Sequence, residues 1–120
     1  MSNEQFTSWL NDILEEELPE GMAAINFNIY DDGDNYWAIE LVGTNSFDEN
    51  DEDWACDEAF TTRETPFEWE EKCTEVEILA EVEEAIKGYL NGGMYAEKLK
   101  AYTGVGAGFV DGDLVIVHKK

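Results

Sequence analysis

Apolar side chains near the N-terminus recur with the three- and four-residue spacing of an amphipathic helix, which predicts a helix over residues 2–17. The stripe is formed by Phe6, Trp9, Leu10, Ile13 and Leu14. Ser2 and Gln5 have capping-box spacing at its start, and Pro19 and Gly21 end it.

A second stripe of the same kind predicts a helix over residues 74–90, and Thr74 and Glu77 form a capping box at its start. Its apolar positions are Val76, Leu79, Val82, Ile86, Tyr89 and Leu90. Two glycines follow and break the helix, and residues 94–102 are typical of a short further helix.

Elsewhere the apolar residues alternate with a period of two, which is the pattern of half-buried strands. Residues 23–30 and 36–42 predict a hairpin around the turn residues 31–34, and residues 54–60 favour a third strand. Residues 61–72 have no clear period, and we expect Phe67 and Trp69 to anchor them to the core. A last hairpin is expected over residues 105–110 and 113–118, joined by the two-residue turn Asp111-Gly112.

These elements predict an α+β fold in one domain, residues 1–120. We expect an antiparallel sheet of about four or five strands, with the N-terminal helix and a central helix pair packed on it. The chain has 120 residues and is 43% hydrophobic, enough to bury a core despite its charge. No apolar run approaches the ~18 residues that span a bilayer, and the first residues do not form a secretory signal. We therefore expect a soluble, cytoplasmic protein in which Cys56 and Cys73 are reduced, although the sequence does not forbid a disulfide between them.

Charge is the dominant feature of the composition. The 29 acidic residues outnumber 7 basic ones, for a formal net charge of −22. Residues 1–62 contain 17 acids and no Lys or Arg, while residues 63–120 have a net charge of only −5. Such a surface repels nucleic acid and anionic membranes and attracts cationic partners. General adaptation to a salt-rich host is the alternative explanation, but it favours acids spread over both halves.

The acids are densest in residues 48–58, called the acidic segment below, where seven carboxylates surround one tryptophan. We interpret this segment as a contact surface for a cationic protein partner, with Trp54 either anchoring the partner or packing into the protein's own core. The candidate contact residues are Asp48, Glu49, Asp51, Glu52, Asp53, Trp54, Asp57 and Glu58, with Asp31, Asp32 and Asp34 nearby.

The residues that a metal site, a catalytic cysteine or a phosphate-binding loop requires are missing from the sequence. We therefore expect no catalytic residue, metal or cofactor. An EF-hand loop beginning at Asp48 would have Asp53 where glycine is required and Ala59 in place of the bidentate glutamate. With one histidine, His118, and two distant cysteines, no pair has zinc-ligand spacing. Carboxylates beside both cysteines oppose thiolate formation. Glycines 104, 106 and 108 lead into a hairpin rather than a helix, so we expect a strand whose glycine face lets a bulky neighbour, such as an aromatic ring, lie flat on it.

Residues 35–42 (NYWAIELV), 51–58 (DEDWACDE) and the terminal hairpin 104–113 (GVGAGFVDGD), in a small and strongly acidic chain, resemble the immunity proteins of bacterial polymorphic-toxin and contact-dependent inhibition systems. The resemblance is of general type, without a defining motif. It implies stoichiometric binding of a cationic toxin domain, such as a nuclease, whose active site is occluded without any turnover. Alternatives with similar chemistry are a nucleic-acid mimic that inhibits a host DNA-binding protein, an acidic housekeeping domain, and a calcium-binding protein.

Overall fold

The computed structural model describes residues 1–120 and contains three α-helices and six β-strands around one sheet. The helices are α1 (Asn3–Glu15), α2 (Glu75–Gly92) and α3 (Ala96–Lys100). The strands are β1 (Ala24–Gly33), β2 (Tyr36–Thr44), β3 (Glu58–Thr61), β4 (Phe67–Glu70), β5 (Gly104–Phe109) and β6 (Val115–Lys119). A short 3₁₀ helix, Glu52–Cys56, lies between β2 and β3. The α+β class and the N-terminal helix are confirmed.

The sheet is mixed rather than purely antiparallel, with the strand order β3-β2-β1-β5-β6. The expectation of an antiparallel sheet is wrong at one place, because β1 and β5 are parallel neighbours at its centre. The number of strands is also larger than expected. Both β3 and β4 pair with the same edge of β2, one beside its C-terminal half and the other beside its N-terminal half.

Two segments differ from the sequence prediction. The expected strand over residues 54–60 is a 3₁₀ helix followed by a strand that begins only at Glu58. Residues 61–72, expected to be irregular, include β4, in which Phe67 and Trp69 point to the core side opposite Ile39 and Trp37. The anchoring role expected of these two aromatic residues is confirmed by their packing against the core.

The two hairpins form with turns other than those expected. The β1–β2 turn is the pair Asp34-Asn35, whose φ angles of 54° and 67° are those of a two-residue turn with left-handed residues. The β5–β6 connection is longer than Asp111-Gly112 alone, because β5 ends at Phe109 and β6 begins at Val115.

Helix starts follow the local sequence. Ser2 Oγ accepts a hydrogen bond from the Gln5 amide at 3.2 Å, and the full capping box of Thr74 and Glu77 is present at the start of α2. α1 ends where Lys98 donates from Nζ to the carbonyl oxygens of Leu14 and Glu16, which satisfies carbonyls that lack helical partners.

The helices cover one face of the sheet, and a 23-residue hydrophobic core lies between the helices and this face. Ile25, Phe27 and Ile29 of β1 point into this core with the apolar faces of α1 and α2. The alternate residues of β1, starting with Asn26 and Asn28, point to the opposite face, called the outer face below. None of the three helices combines the length and the apolar composition that crossing a membrane requires.

Candidate protein-binding surface

The acidic segment lies across the outer face of the sheet, between the end of β2 and the start of β3. Local hydrogen bonds shape it: the Asn50 amide donates to Asp48 Oδ1 at 2.9 Å, and the Asp53 amide donates to Asp51 Oδ1 at 3.1 Å. Asp51 thereby caps the 3₁₀ helix that contains Trp54. Some of the aspartates therefore order the backbone as well as contributing charge.

Two aromatic rings fasten this part of the chain to the glycine face of β5. A Cβ atom added at Gly104 would clash with the ring of Phe47, and one added at Gly106 would lie 3.2 Å from Trp54 Cζ2. The two rings contact each other in a T-shaped arrangement with centroids 5.1 Å apart. The strand whose glycines let aromatic rings lie on it is therefore confirmed, at Gly104 and Gly106.

Trp54 is 4% exposed, so it belongs to the protein's own packing. Of the two roles considered for this residue, the structure has the internal one. The exposed side chains of the segment are therefore its carboxylates and not the indole.

Polar contacts tie the acidic segment to the β5–β6 hairpin. Lys119 Nζ lies 2.7 Å from Glu49 Oε2, and the Leu114 amide donates to Glu52 Oε2 at 2.6 Å. At the other end, Asp57 accepts hydrogen bonds from Asn45 and Ser46. The segment is held along its length, so the backbone that bears its carboxylates is ordered.

Five of the seven carboxylates in the segment lack a basic partner. Glu49 pairs with Lys119, and Glu58 pairs with Arg63 at 2.7 Å. The five others, all exposed, are Asp48, Asp51, Glu52, Asp53 and Asp57. Close like charges without counterions repel each other and create a negative potential that attracts cations.

The three aspartates of the β1–β2 region diverge. Asp32 lies on the outer face, where it lines a hollow of about 280 Å³ together with Tyr30, Glu40 and Arg63. Asp31 lies instead beside Glu75 at the start of α2, and a hydrogen bond shared with Asp31 raises the pKa of the Glu75 carboxyl. Asp34 occupies the hairpin turn. Of the three, the structure brings only Asp32 to the outer face.

A buried polar network that was not predicted from the sequence links β1, β2 and β3 on the outer face. The Glu40 side chain is 1% exposed and accepts hydrogen bonds from Asn28 (3.2 Å), Tyr30 (2.8 Å) and Arg63 Nε (2.7 Å). Burial, and then the hydrogen bond to Glu40, raise the pKa of the Tyr30 phenol. The bonds to Glu40, followed by those to Glu58, raise the pKa of Arg63.

One signal could have revealed this network. Glu40 lies on the same face of β2 as Ala38 and Val42, and the other face of the strand is also apolar. A charge on a strand that is apolar on both faces needs a partner. Arg63 is the first cation of the chain and the available candidate. Arg63 donates hydrogen bonds to Glu58 and to Glu40, and it thereby connects β3 to the centre of the outer face.

A second missed cluster lies at the N-terminus, where ligand atoms of Glu71, Cys73 and Glu81 are within 4.8 Å of one another. The Met1 ammonium donates to Glu71 Oε1 at 2.6 Å and lies 3.5 Å from Glu81. This hydrogen bond lowers the pKa of Glu71 to about 2, whereas burial raises the pKa of Glu81. Burial and the neighbouring carboxylates, Glu77 first, raise the pKa of the Cys73 thiol, which disfavours a thiolate ligand. The cation of this cluster is therefore the ammonium group.

Cys56 is exposed in the acidic segment and Cys73 is half-buried, and the two are not bonded to each other.

Comparisons with protein-family models, with curated proteins and with solved structures found no match to this chain.

Proposed function

We propose that the protein is a stoichiometric protein-binding module whose outer face docks on a cationic surface, and that it acts as an immunity protein which occludes a toxin domain. The observation that supports this proposal most strongly is the acidic segment. Five carboxylates without counterions are presented on a backbone fastened by Phe47 and Trp54.

Fixed positions matter because a flexible acidic loop would lose conformational entropy on binding. A segment that is ordered before the encounter avoids much of this loss. Negative potential also speeds the encounter, and electrostatic steering raises association rates by roughly 10–1000-fold at low salt. Both effects favour rapid and tight capture of a cationic protein.

Occlusion follows from charge. A nuclease binds the phosphates of its substrate with Lys and Arg, and a set of carboxylates at comparable density can pair with the same side chains. Paired carboxylate–guanidinium contacts, bidentate where arginine is the partner, would hold the inhibitor over the cleft. No bond is made or broken, so one molecule of the protein would neutralise one molecule of toxin.

The test is co-expression with the C-terminal domain of any large secreted protein that the neighbouring reading frame encodes. The proposal predicts a 1:1 complex by size-exclusion chromatography with light scattering, and loss of the domain's toxicity. The variant D51N/E52Q/D53N should protect less well than E4Q/E84Q/E97Q, which removes the same charge from exposed positions on the helices.

Two results would contradict the immunity assignment. One is full toxicity of the neighbouring domain in the presence of the protein. The other is binding to a host DNA-binding protein in competition with DNA, which would assign the same surface to nucleic-acid mimicry.

A further inference from the structure

A groove of about 840 Å³ runs between α1 and the chain that connects β3 to β4, at the edge of the sheet. Trp9 and Ile13 contribute its wall on the α1 side, and Phe60 and residues 61–65 contribute the opposite wall. It is larger than the two hollows of the outer face, and it adjoins one of them at Arg63.

The indole of Trp9 is held in place. Its Nε1 donates to the Thr65 carbonyl oxygen at 2.9 Å, and its ring packs on Phe6 and Phe67 with centroids 5.8 and 5.9 Å away. The side chain is nevertheless only half-buried, and it lines the groove. A fixed aromatic surface that remains open to solvent suits a planar ligand.

The rim of the groove is acidic and has no counterion. Asp12, Glu16 and Glu64 line it, all three are exposed, and none of them is in an ion pair. Asp12 lies in α1 and Glu16 directly follows its last residue, so two like charges line the same wall of the groove and repel each other. A cation bound between them would relieve this repulsion.

Arg63 is the one cation on the groove wall, and it does not neutralise the rim. Its Nε is 2.7 Å from Glu40 Oε2 and its Nη2 is 2.7 Å from Glu58 Oε2, both outside the groove. With Arg63 bonded to these two carboxylates, the charges of the rim are available to an external group.

We infer that this groove binds an arginine side chain of a partner protein, with the guanidinium stacked on Trp9 and hydrogen-bonded to Asp12, Glu16 or Glu64. Arginine fits better than lysine because the planar guanidinium stacks on an aromatic face and forks its N–H groups toward carboxylates. The inference goes beyond the proposed function, since it concerns a different surface of the molecule and holds for any partner that presents an arginine.

The test uses N-acetyl-arginine amide as the probe and the assigned indole N–H cross-peak of Trp9 as the reporter in an NMR titration. Saturable shifts are expected at Trp9 and at the amides of residues 61–65, with an apparent Kd of roughly millimolar strength, as befits a single side chain. N-acetyl-citrulline amide has nearly the same shape without the charge, so it should give no saturable shift. N-acetyl-lysine amide should bind at least about threefold more weakly than the arginine probe.

The variant D12N/E16Q/E64Q changes exposed side chains and should fold normally, which circular dichroism checks. It should weaken arginine binding about tenfold or more. The matched control E4Q/E84Q/E97Q and the acidic-segment variant D51N/E52Q/D53N should both bind the probe as the parent does. This outcome can be obtained whether or not the acidic segment binds a toxin, so the two ideas fail separately.

The inference is overturned by any of three results: no saturable shift at Trp9, equal binding of the citrulline or lysine probe, or equal loss of binding in the groove variant and the matched control. The last result would mean that the probe responds to net charge alone.

Discussion

Substituting Gly106 by alanine tests whether Trp54 fastens the acidic segment to the sheet. The added Cβ would lie 2.8 Å from Asn26 Oδ1 and 3.2 and 3.3 Å from Cζ2 and Cη2 of Trp54. Asn26 is fully buried on the central strand β1, and its Oδ1 is the atom closest to the added Cβ. The Asn26 amide must therefore shift, and the indole packed on the same glycine must give by a few tenths of an ångström.

The loss of unfolding free energy expected for Gly106→Ala follows from the packing around the added methyl group. One extra methyl group in a well-packed site costs about 1–3 kcal/mol of unfolding free energy. If the segment lifts off the sheet instead, the loss is limited by the free energy of that local opening, and the lifted chain becomes a protease substrate. Gly106→Ala should therefore lower stability, accelerate cleavage within residues 45–57, or do both.

Urea unfolding and limited proteolysis with a glutamyl endopeptidase measure the two effects. Gly88→Ala is the matched control, because Gly88 lies in α2 with no atom within 4 Å of an added Cβ. Alanine is the better helix former, so the control should gain about 0.5–1 kcal/mol. If Gly106→Ala unfolded within about 0.5 kcal/mol of the parent and was cleaved at the parental rate, the close packing of Asn26 and Trp54 on Gly106 would be refuted.

Two further predictions concern the ends of helices and acid stability. Thr74→Ala removes the capping box of α2 and should cost about 1 kcal/mol in urea unfolding, whereas Thr74→Ser should retain most of it; an equal loss in both would contradict the role of the hydroxyl. Because the Met1 ammonium lowers the pKa of Glu71 from 4.5 to about 2, Glu71 contributes stability above pH 4.5 that is lost as the pH falls toward 2. Glu71→Gln should thus lose less stability than the parent across this window. As a control, replacing its exposed neighbour in Glu70→Gln should leave the pH profile of stability like that of the parent. Parallel profiles for the parent and Glu71→Gln would contradict the contact.

The parts of the fold that the sequence predicts are those with local signals. Both long helices have an apolar stripe and a capping residue within one contiguous stretch, and the β1–β2 hairpin joins two alternating runs across a turn. The alternation of Phe67 and Trp69 with Glu68 and Glu70 was also present, but four residues after a proline are too few to distinguish a strand from irregular chain.

The parallel pairing of β1 with β5 could not be predicted, because some 80 residues separate partners such as Ala24 and Gly104. Alternation shows which residues of a strand are buried, but it does not say which strand lies beside it. The same limit applies to the candidate surface. Charge density identified the acidic segment, whereas the contact between Arg63 and Glu40 depends on the sheet.

The role of Trp54 follows from its contact with the glycine face of β5. A tryptophan among seven acids is compatible with a partner anchor or with the core, and its neighbours in sequence do not distinguish the two. The glycine face of β5 decides between the two roles, since Gly106 leaves the space that the indole fills.

The most direct test of the account is the rate at which the protein associates with its cationic partner as salt is varied. Stopped-flow measurements between about 20 and 500 mM salt, where screening of exposed charges becomes strong, should show a steep fall for the parent. D51N/E52Q/D53N should associate roughly tenfold or more slowly at low salt and with a flatter salt dependence, while E4Q/E84Q/E97Q stays close to the parent. Equal rates for the acidic-segment variant and the parent would mean that the carboxylates of residues 48–58 do not guide binding.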